Sequence, residues 1–300
     1  MRDTDDPPAG NETVTHAWIE ACIRDFCRSP ANTLHLGDES AWAEPLVGFA
    51  RGDDPLFVDI RAQIGDFYWT PPDAFKRAFP ESSSAALTVV SWVLPQTTAT
   101  KHDNRRQQEM PSERWARSRK FGEECNDALH DHLVAALRAA GVRAVAPTHL
   151  PDWQLHTSDR FGLCSAWSHR HAAYVAGLGT FGLCDGLITP VGKAMRCGSV
   201  VAAIRLAPTP RPYDDPHAYC LYFARGTCGV CMQRCPVGAI SEQGHDKERC
   251  RRFLFETAAQ YVEREFGFAA YGCGLCQTRV PCESGIPKGC RPEPKRACDE

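Results

Sequence analysis

Ten of the sixteen cysteines lie between Cys220 and Cys298, and their spacing is that of iron ligands. A first group comprises Cys220, Cys228, Cys231 and Cys235, with Pro236-Val237-Gly238-Ala239-Ile240 directly after it, and Cys250 follows. In the bacterial ferredoxin run C-x2-C-x2-C-x3-C-P, three closely spaced thiolates hold one cluster and the cysteine before proline reaches the other. Counted back from Cys235, the run needs cysteines at 231, 228 and 225, and the last of these is Arg225. Cys220, five residues earlier, is read as its replacement. A second group, Cys273, Cys276 and Cys282, repeats the C-x2-C step but sets its third cysteine after five residues rather than three. These eight thiolates suffice for two 4Fe-4S clusters. With the fourth ligand crossed between groups, cluster one takes Cys220, Cys228, Cys231 and Cys282, and cluster two takes Cys235, Cys250, Cys273 and Cys276. Crossing holds the two clusters close enough to exchange electrons.

Structural zinc is the rival occupant, since sets of four cysteines with C-x2-C knuckles also bind zinc. The proline and Val-Gly-Ala-Ile after Cys235 favour iron, because they continue the ferredoxin text. Cys290 and Cys298 are spare thiols, Cys290 being a competitor of Cys282 for cluster one. Cys22, Cys27, Cys125, Cys164, Cys184 and Cys197 are read as thiols without a metal role. A disulfide framework is not expected, because the N-terminus lacks an apolar export segment and a reducing compartment keeps thiols free.

Upstream, Gly177-Leu178-Gly179-Thr180-Phe181-Gly182 matches G-x-G-x-x-G. The dinucleotide version needs a strand before it, a helix after it and an acidic residue about twenty positions on. Ser168 to Ala176 reads instead as a helix, and the residues after Gly182 run to a turn at Pro190. What Gly177, Gly179 and Gly182 offer is backbone that a large planar or phosphate-bearing ligand can approach without meeting Cβ atoms. His169 and His171 are candidate proton carriers near that ligand, since histidine titrates near neutrality. They flank Arg170 on a helix, so they do not share one face.

Ala176-Gly177-Leu178-Gly179, Phe181-Gly182, Leu187-Ile188-Thr189-Pro190, the strand from Gly198 and the two-group cysteine segment, in this order, resemble the epoxyqueuosine reductases. More broadly they resemble the reductive dehalogenases and other corrinoid iron-sulfur reductases. The likeness spans residues 85 to 290 and implies a cobalamin, bound without its lower base, between the N-terminal domain and two 4Fe-4S clusters that reduce it. It also implies an electron donor such as a ferredoxin or flavodoxin, and a small-molecule or tRNA-borne substrate. In the epoxyqueuosine enzymes an aspartate upstream of Ala-Gly-Leu-Gly donates a proton to substrate; by spacing it falls near Leu163, where Asp159 is the closest carboxylate. Arg225 and the displaced Cys282 mark a divergent branch. The alternative is a ferredoxin-like electron-transfer or activator protein without a cobalamin of its own.

Positioning these groups requires a scaffold. An apolar-periodic helix from Thr13 follows a leader at 1–12, helical pieces are expected between Ala41 and Phe79, and Ala86 to Leu94 reads as a buried strand. Residues 112–140 read as a long helix stopped at Gly141, 142–147 as a strand, 166–176 as a helix and 198–206 as a strand. The N-terminal domain at 13–207 is therefore expected to be α/β (α+β). Pro208, Pro210, Pro212 and Pro216 make a stiff link at 208–217, and a small two-cluster ferredoxin-like domain occupies 218–290 before a tail at 291–300. The formal net charge of −3 gives no global basic field. Locally, Lys101, Arg105, Arg106, Arg114, Arg117, Arg119 and Lys120 outnumber Asp103, Glu109 and Glu113 by four. That stretch is either a tRNA-backbone contact or a solvated helix face. No apolar run reaches the roughly 18 residues of a membrane span, so a cytoplasmic location without membrane contact is expected.

Overall fold

The computed structural model describes residues 13–82 and 86–290; the leader at 1–12, and the tail at 291–300 with Cys298, lie outside the described residues. Thr15 opens α1 (His16–Arg28) by accepting the Trp18 N–H on its side chain, and Ile19, Ile23 and Cys27 repeat at helical spacing to form its buried stripe. β1 (Leu46–Arg51), α2 (Pro55–Ile64) and α3 (Pro71–Ala78) follow. The strand β2 (Thr88–Pro95) is buried at every position, as its β-branched run requires. Next come α4 (Thr98–Arg106), the long α5 (Glu113–Ala139), β3 (Ala144–Val145), β4 (Leu155–Ser158), β5 (Gly162–Ser165), α6 (His169–Val175), β6 (Thr180–Phe181), β7 (Leu187–Ile188) and β8 (Met195–Ala202).

The central sheet runs β1-β2-β8-β3 with every neighbouring pair antiparallel. The mixed helix-and-sheet expectation holds, and antiparallel pairing makes it the α+β form. The strands expected at 86–94, 142–147 and 198–206 are β2, β3 and β8. Within 41–79, where only helical pieces are expected from sequence, β1 also forms. Its Leu-Val-Gly-Phe-Ala-Arg text is short and broken by Gly48, and it is held by pairing from Leu46 opposite Val93 to Arg51 opposite Thr88.

Alternation along β2 sends Val90, Trp92 and Leu94 to one face and Val89 and Val93 to the other. On the first face α1 and α5 bring Ile19, Ile23, Leu129, Leu133 and Leu137, each fully buried. Each such side chain contributes about 1.5–3 kcal/mol. Trp92 lies over Gly198, where an added Cβ would sit 2.2 Å from the indole, and its Nε1 donates to Asn126 Oδ1 at 2.9 Å. The second face receives α2 and α6, with Phe57, Ile60, Ala173 and Val175, together with Trp167.

Beyond the proline-rich link come α7 (Leu221–Arg225), α8 (Val230–Gln233), β9 (Ile240–Ser241), β10 (Gly244–His245), α9 (Lys247–Arg252), a π-helical turn at Phe253–Ala258 and α10 (Ala259–Phe266). This segment shares the core of the second face: Tyr213, Tyr219, Cys220, Cys231, Ile240, Val280 and Cys282 pack in one cluster with Phe57 and Trp167. The link itself lies along the first part, with Thr209 bonded both ways to the Phe49 backbone and Tyr213 Oη donating to Tyr174 O at 2.7 Å. Polar staples complete the join. Glu283, 3% exposed, receives the Arg105 guanidinium of α4, and Arg234 donates to carbonyls of Leu275, Thr278 and Gln107.

Candidate iron-sulfur site and adjoining cavity

A cavity of about 460 Å³ lies between the two parts. Its C-terminal wall carries Cys235, Cys250, Cys273 and Cys276, and its opposite wall carries Trp153, Trp167, His169, Arg196 and Cys197. Local structure explains how the thiols get there. Cys235 follows the end of α8 and accepts the Ala239 N–H at 3.2 Å, Cys250 sits on α9, and Asn104 of α4 donates to the Cys273 carbonyl at 3.2 Å. Between Cys273 and Cys276 the chain turns through Gly274 at φ +65°, where an added Cβ would fall 1.8 Å from Trp115, so no other residue fits. Burial pushes the Cys273 thiol up to about 12. Metal entry must therefore displace its proton.

The other four expected ligands divide. Cys220, Cys231 and Cys282 are buried, whereas Cys228 is exposed and holds a left-handed backbone at φ +80°. A thiol expected to have no metal role joins the buried ones. Cys184, on the β6–β7 turn, lies in one buried core with Cys231 and lines the cavity with Cys276. Its Sγ also accepts from Lys193 Nζ at 3.2 Å. Lys193 is 2% exposed and faces the thiols of Cys184, Cys282, Cys276 and Cys231; burial opposes its charge, but these sulfurs outweigh it and hold the ammonium well above its ordinary value. Sequence spacing could not reveal Cys184, because it lies 36 residues before the first cysteine of the expected set.

Around the rest of the cavity, Arg119 and Arg196 share the single carboxylate Glu123, leaving an excess positive charge. Gln96 donates to Ser118 Oγ at 2.7 Å, while its buried Oε1 has no partner. His245 bonds Asp185 at 3.2 Å; burial opposes its charge, yet Asp185 and Cys250 lift it to about 9.

The expected proton carriers separate. His169 lines the cavity with its two ring nitrogens against Ser199 Oγ (2.8 Å) and Thr148 Oγ1 (3.3 Å), and burial holds it well below its usual value. His171 turns away, onto Tyr68 and Phe181, and Asp159 is exposed on the β4–β5 turn outside the cavity lining. Gly177, Gly179 and Gly182 do not line this cavity. A Cβ at Gly177 would meet Pro210 O at 2.8 Å and one at Gly179 would meet Ile188 O at 2.2 Å, so they admit the chain's own backbone. The basic stretch is largely spent internally, with Arg105 on Glu283, Arg114 on Glu39 and Asp103, Arg117 on Glu113, Arg119 on Glu123 and Lys120 on Glu124.

Two other features carry no chemistry. Asp127, His130 and His149 offer ligand atoms within 4.8 Å of one another, but His130 Nδ1 is taken by Asn126 O and its Nε2 by the Ser199 N–H. A larger hollow of about 820 Å³ beside Phe75 and Arg205 has neither cysteine nor histidine in its lining. Among the described residues no helix is long and apolar enough to cross a membrane.

No protein-family model matches the chain. Among curated proteins it is 29% identical to an epoxyqueuosine reductase of Bacillus anthracis over 167 residues, which is 54% of this chain and 41% of that protein. It is 28% identical to an epoxyqueuosine reductase of Staphylococcus aureus over 160 residues, 52% of this chain and 39% of the other. The chain thus spans about two fifths of the length of these curated relatives. Among solved structures, a catabolic reductive dehalogenase aligns with a TM-score of 0.50 at 16% identity, covering 91% of this chain and 38% of that one, a likeness of fold. Over the half of the chain that aligns, its sequence is similar to that of epoxyqueuosine reductases.

Proposed function

We propose that this protein is an iron-sulfur reductase that carries electrons through two 4Fe-4S clusters into the cavity between its two parts, where a base-off cobalamin and the substrate meet. The observation that carries this reading is the cavity wall. Six cysteines line this space, and four of them, Cys235, Cys250, Cys273 and Cys276, come from three segments of the C-terminal part and would supply the ligands a cubane cluster needs. A cluster there would deliver electrons directly to a cavity ligand. The relatives named epoxyqueuosine reductase support reductase chemistry.

The residues around the cavity suit a corrinoid's amide-fringed edge. Gln96 Oε1 is a buried acceptor awaiting a donor, and Arg119 and Arg196 can donate to amide carbonyls. His169 has both ring nitrogens engaged, by Thr148 Oγ1 and Ser199 Oγ, so it would border such a ligand as a hydrogen-bonded side chain. Bound cobalt would supply a strongly reducing centre. This chain's own contribution is to exclude water with Trp115, Trp153 and Trp167, and to pass a proton along Thr148, His169 and Ser199. The electron donor would be a ferredoxin or flavodoxin, and the substrate a small molecule or a tRNA-borne base.

A second reading, electron transfer without a resident corrinoid, is favoured by the cavity volume. About 460 Å³ is in the range that holds a drug-sized ligand, and a whole corrinoid is larger. Anaerobic purification with iron analysis, followed by cobalamin titration monitored by absorbance, separates the two. About eight iron atoms per chain with saturable cobalamin binding supports the first reading. Full iron with no corrinoid binding removes the cobalamin and leaves the second, and zinc without iron removes both.

A further inference from the structure

Under the proposed function an electron must enter by a face that the cavity ligand does not occupy, and α4 builds one against the segment carrying Cys273, Cys276 and Cys282. On the inner side of α4 the buried Asn104 donates to the Cys273 carbonyl and to Thr278 Oγ1, both at 3.2 Å. The Arg234 guanidinium ties the two segments together, donating to the carbonyls of Asn104 and Gln107 and to those of Leu275 and Thr278. Arg106 lies between the first two of these residues and Arg279 directly follows Thr278, so two exposed arginines stand on adjoining stretches of surface. Glu283 completes the join, its buried carboxylate taking the Arg105 guanidinium at 2.8 Å and the Arg279 N–H at 2.6 Å. None of these residues lines the cavity. We propose that this face, with Lys101, Arg106 and Arg279 as its cations, is the docking surface for a small acidic electron-carrier protein; the proposal rests on the iron-sulfur reading above.

Charge is the first argument. The basic residues of α5 are spent on carboxylates, but those of α4 are not. Among the described residues Lys101, Arg106 and Arg279 enter no ion pair, because the neighbouring Asp103 and Glu283 go to Arg114 and Arg105. Lys101 and Arg105 stand one helical turn apart on one side of α4. With Arg234 this leaves four cations against Glu109, the exposed carboxylate of the neighbourhood. A face of one sign steers a partner of the other, raising its association rate by about 10–10³-fold at low salt.

The kind of surface is the second. None of the large exposed hydrophobic side chains among the described residues lies on it. Electron-transfer encounters are small, brief and led by charge, so they need no apolar anchor. Single-stranded nucleic acid, by contrast, is held by aromatic faces on which its bases stack. The position of the face, against the backbone of the cysteine segment and outside the cavity, lets a carrier deliver its electron while a substrate occupies the other side. Each encounter passes one electron: a flavodoxin hydroquinone is oxidised to its semiquinone and one cluster is reduced. No bond in this chain forms or breaks, and any proton the flavin loses goes to water.

The test mixes full-length protein, reconstituted anaerobically with iron and sulfide, with flavodoxin hydroquinone or with reduced methyl viologen and follows cluster reduction by stopped-flow absorbance. For the wild type the flavodoxin rate should fall about tenfold or more between low salt and about 0.5 M salt, while the viologen rate, which needs no docking, should not fall. Arg106→Glu combined with Arg279→Glu should lower the low-salt flavodoxin rate by about tenfold or more and leave iron content and the viologen rate unchanged. Arg106→Lys combined with Arg279→Lys, which keeps the charge, should match the wild type. An unchanged flavodoxin rate in the glutamate variant overturns the docking surface and leaves the iron-sulfur reading intact. So does a wild type that viologen reduces and flavodoxin does not. Loss of binding to a tRNA anticodon stem-loop in the glutamate variant, with its flavodoxin rate kept, also overturns it and assigns the cations to RNA. The wild-type salt profile needs no variant to fold, and a flavodoxin rate that does not fall with salt overturns the proposal by itself. A wild type without iron overturns both readings.

Discussion

At the scale of single residues, the most demanding group is the Lys193 ammonium, enclosed by sulfur and 2% exposed. Under the proposed function, a cluster reduced beside it would gain an electron in the field of a nearby positive charge, which favours the reduced state. Replacing Lys193 with Gln keeps a hydrogen-bond donor and removes the charge. The variant should retain its iron, and its cluster should reduce at a potential on the order of 100 mV more negative in a dye-mediated titration; an unchanged potential would mean that the ammonium lies outside the cluster's field. A second residue prediction concerns Gly198, whose missing Cβ makes room for the Trp92 indole. Gly198→Ala should destabilise the fold by about 1–3 kcal/mol, as overpacking does, measured by urea unfolding. Cys235, Cys273 and Cys276 stood out in sequence because their close spacings are a local code, and all three line the cavity. Cys184 did not, because it reaches the same cavity wall by tertiary packing that no local spacing records. At Gly177 and Gly179 the motif reports that backbone comes close, and the approaching backbone here is that of Pro210 and Ile188.

Elements show the same division between local and distant causes. β2 was legible because a fully buried strand must be apolar throughout, while β1 depends on the neighbour it pairs with. In α5, Glu113, Glu123 and Glu124 stand four residues from Arg117, Arg119 and Lys120, so the helix neutralises much of the charge that sequence alone offered to a nucleic acid. Charge reversal at Lys120 (Lys120→Glu), where the pair is exposed, should therefore change stability by no more than about 0.5 kcal/mol. Arg114 differs, since it joins the start of α5 to Glu39 and to Asp103 of α4. Arg114→Ala should cost more than the Lys120 change, about 1 kcal/mol after allowing for its partial exposure, and equal midpoints for the two variants would show the bridge to be idle. The α3 cap, Thr70 paired reciprocally with Asp73, is a signature written in four residues, and Thr70→Ala should cost about 1 kcal/mol in the same assay.

Across the whole molecule, the two parts share one core, so they should lose structure together on acidification, and three buried imidazoles set when that happens. His130, His149 and His169 form a row with ring centroids 5.1 Å and 4.8 Å apart around His130. Only His149, paired with Asp127 and Asp131, has its affinity for a proton raised. Burial holds His130 down to about 4 and His169 well below its usual value, and on α6 burial with the Arg170 charge holds His171 to about 3. A histidine whose folded pKa is depressed stays neutral in the native state while the unfolded chain takes up a proton below about 6.5, so stability is lost as pH falls through that value. Each of the three contributes at most about 1.4 kcal/mol of loss between pH 7.5 and 5.5, roughly 4 kcal/mol together. His149 works in the opposite sense, being favourable when protonated, but its partners lie at the surface and offset only a small part. Urea unfolding of the protein at pH 7.5 and 5.5 should therefore show a drop of several kcal/mol in a single transition. Replacing His171 with Gln, which packs against Tyr68 and Phe181 away from the thiols, should flatten that drop by about 1.4 kcal/mol even if it lowers stability at both values. Equal stability at the two pH values would show that these imidazoles are protonated in the folded state and that the row is not the neutral network its hydrogen bonds describe.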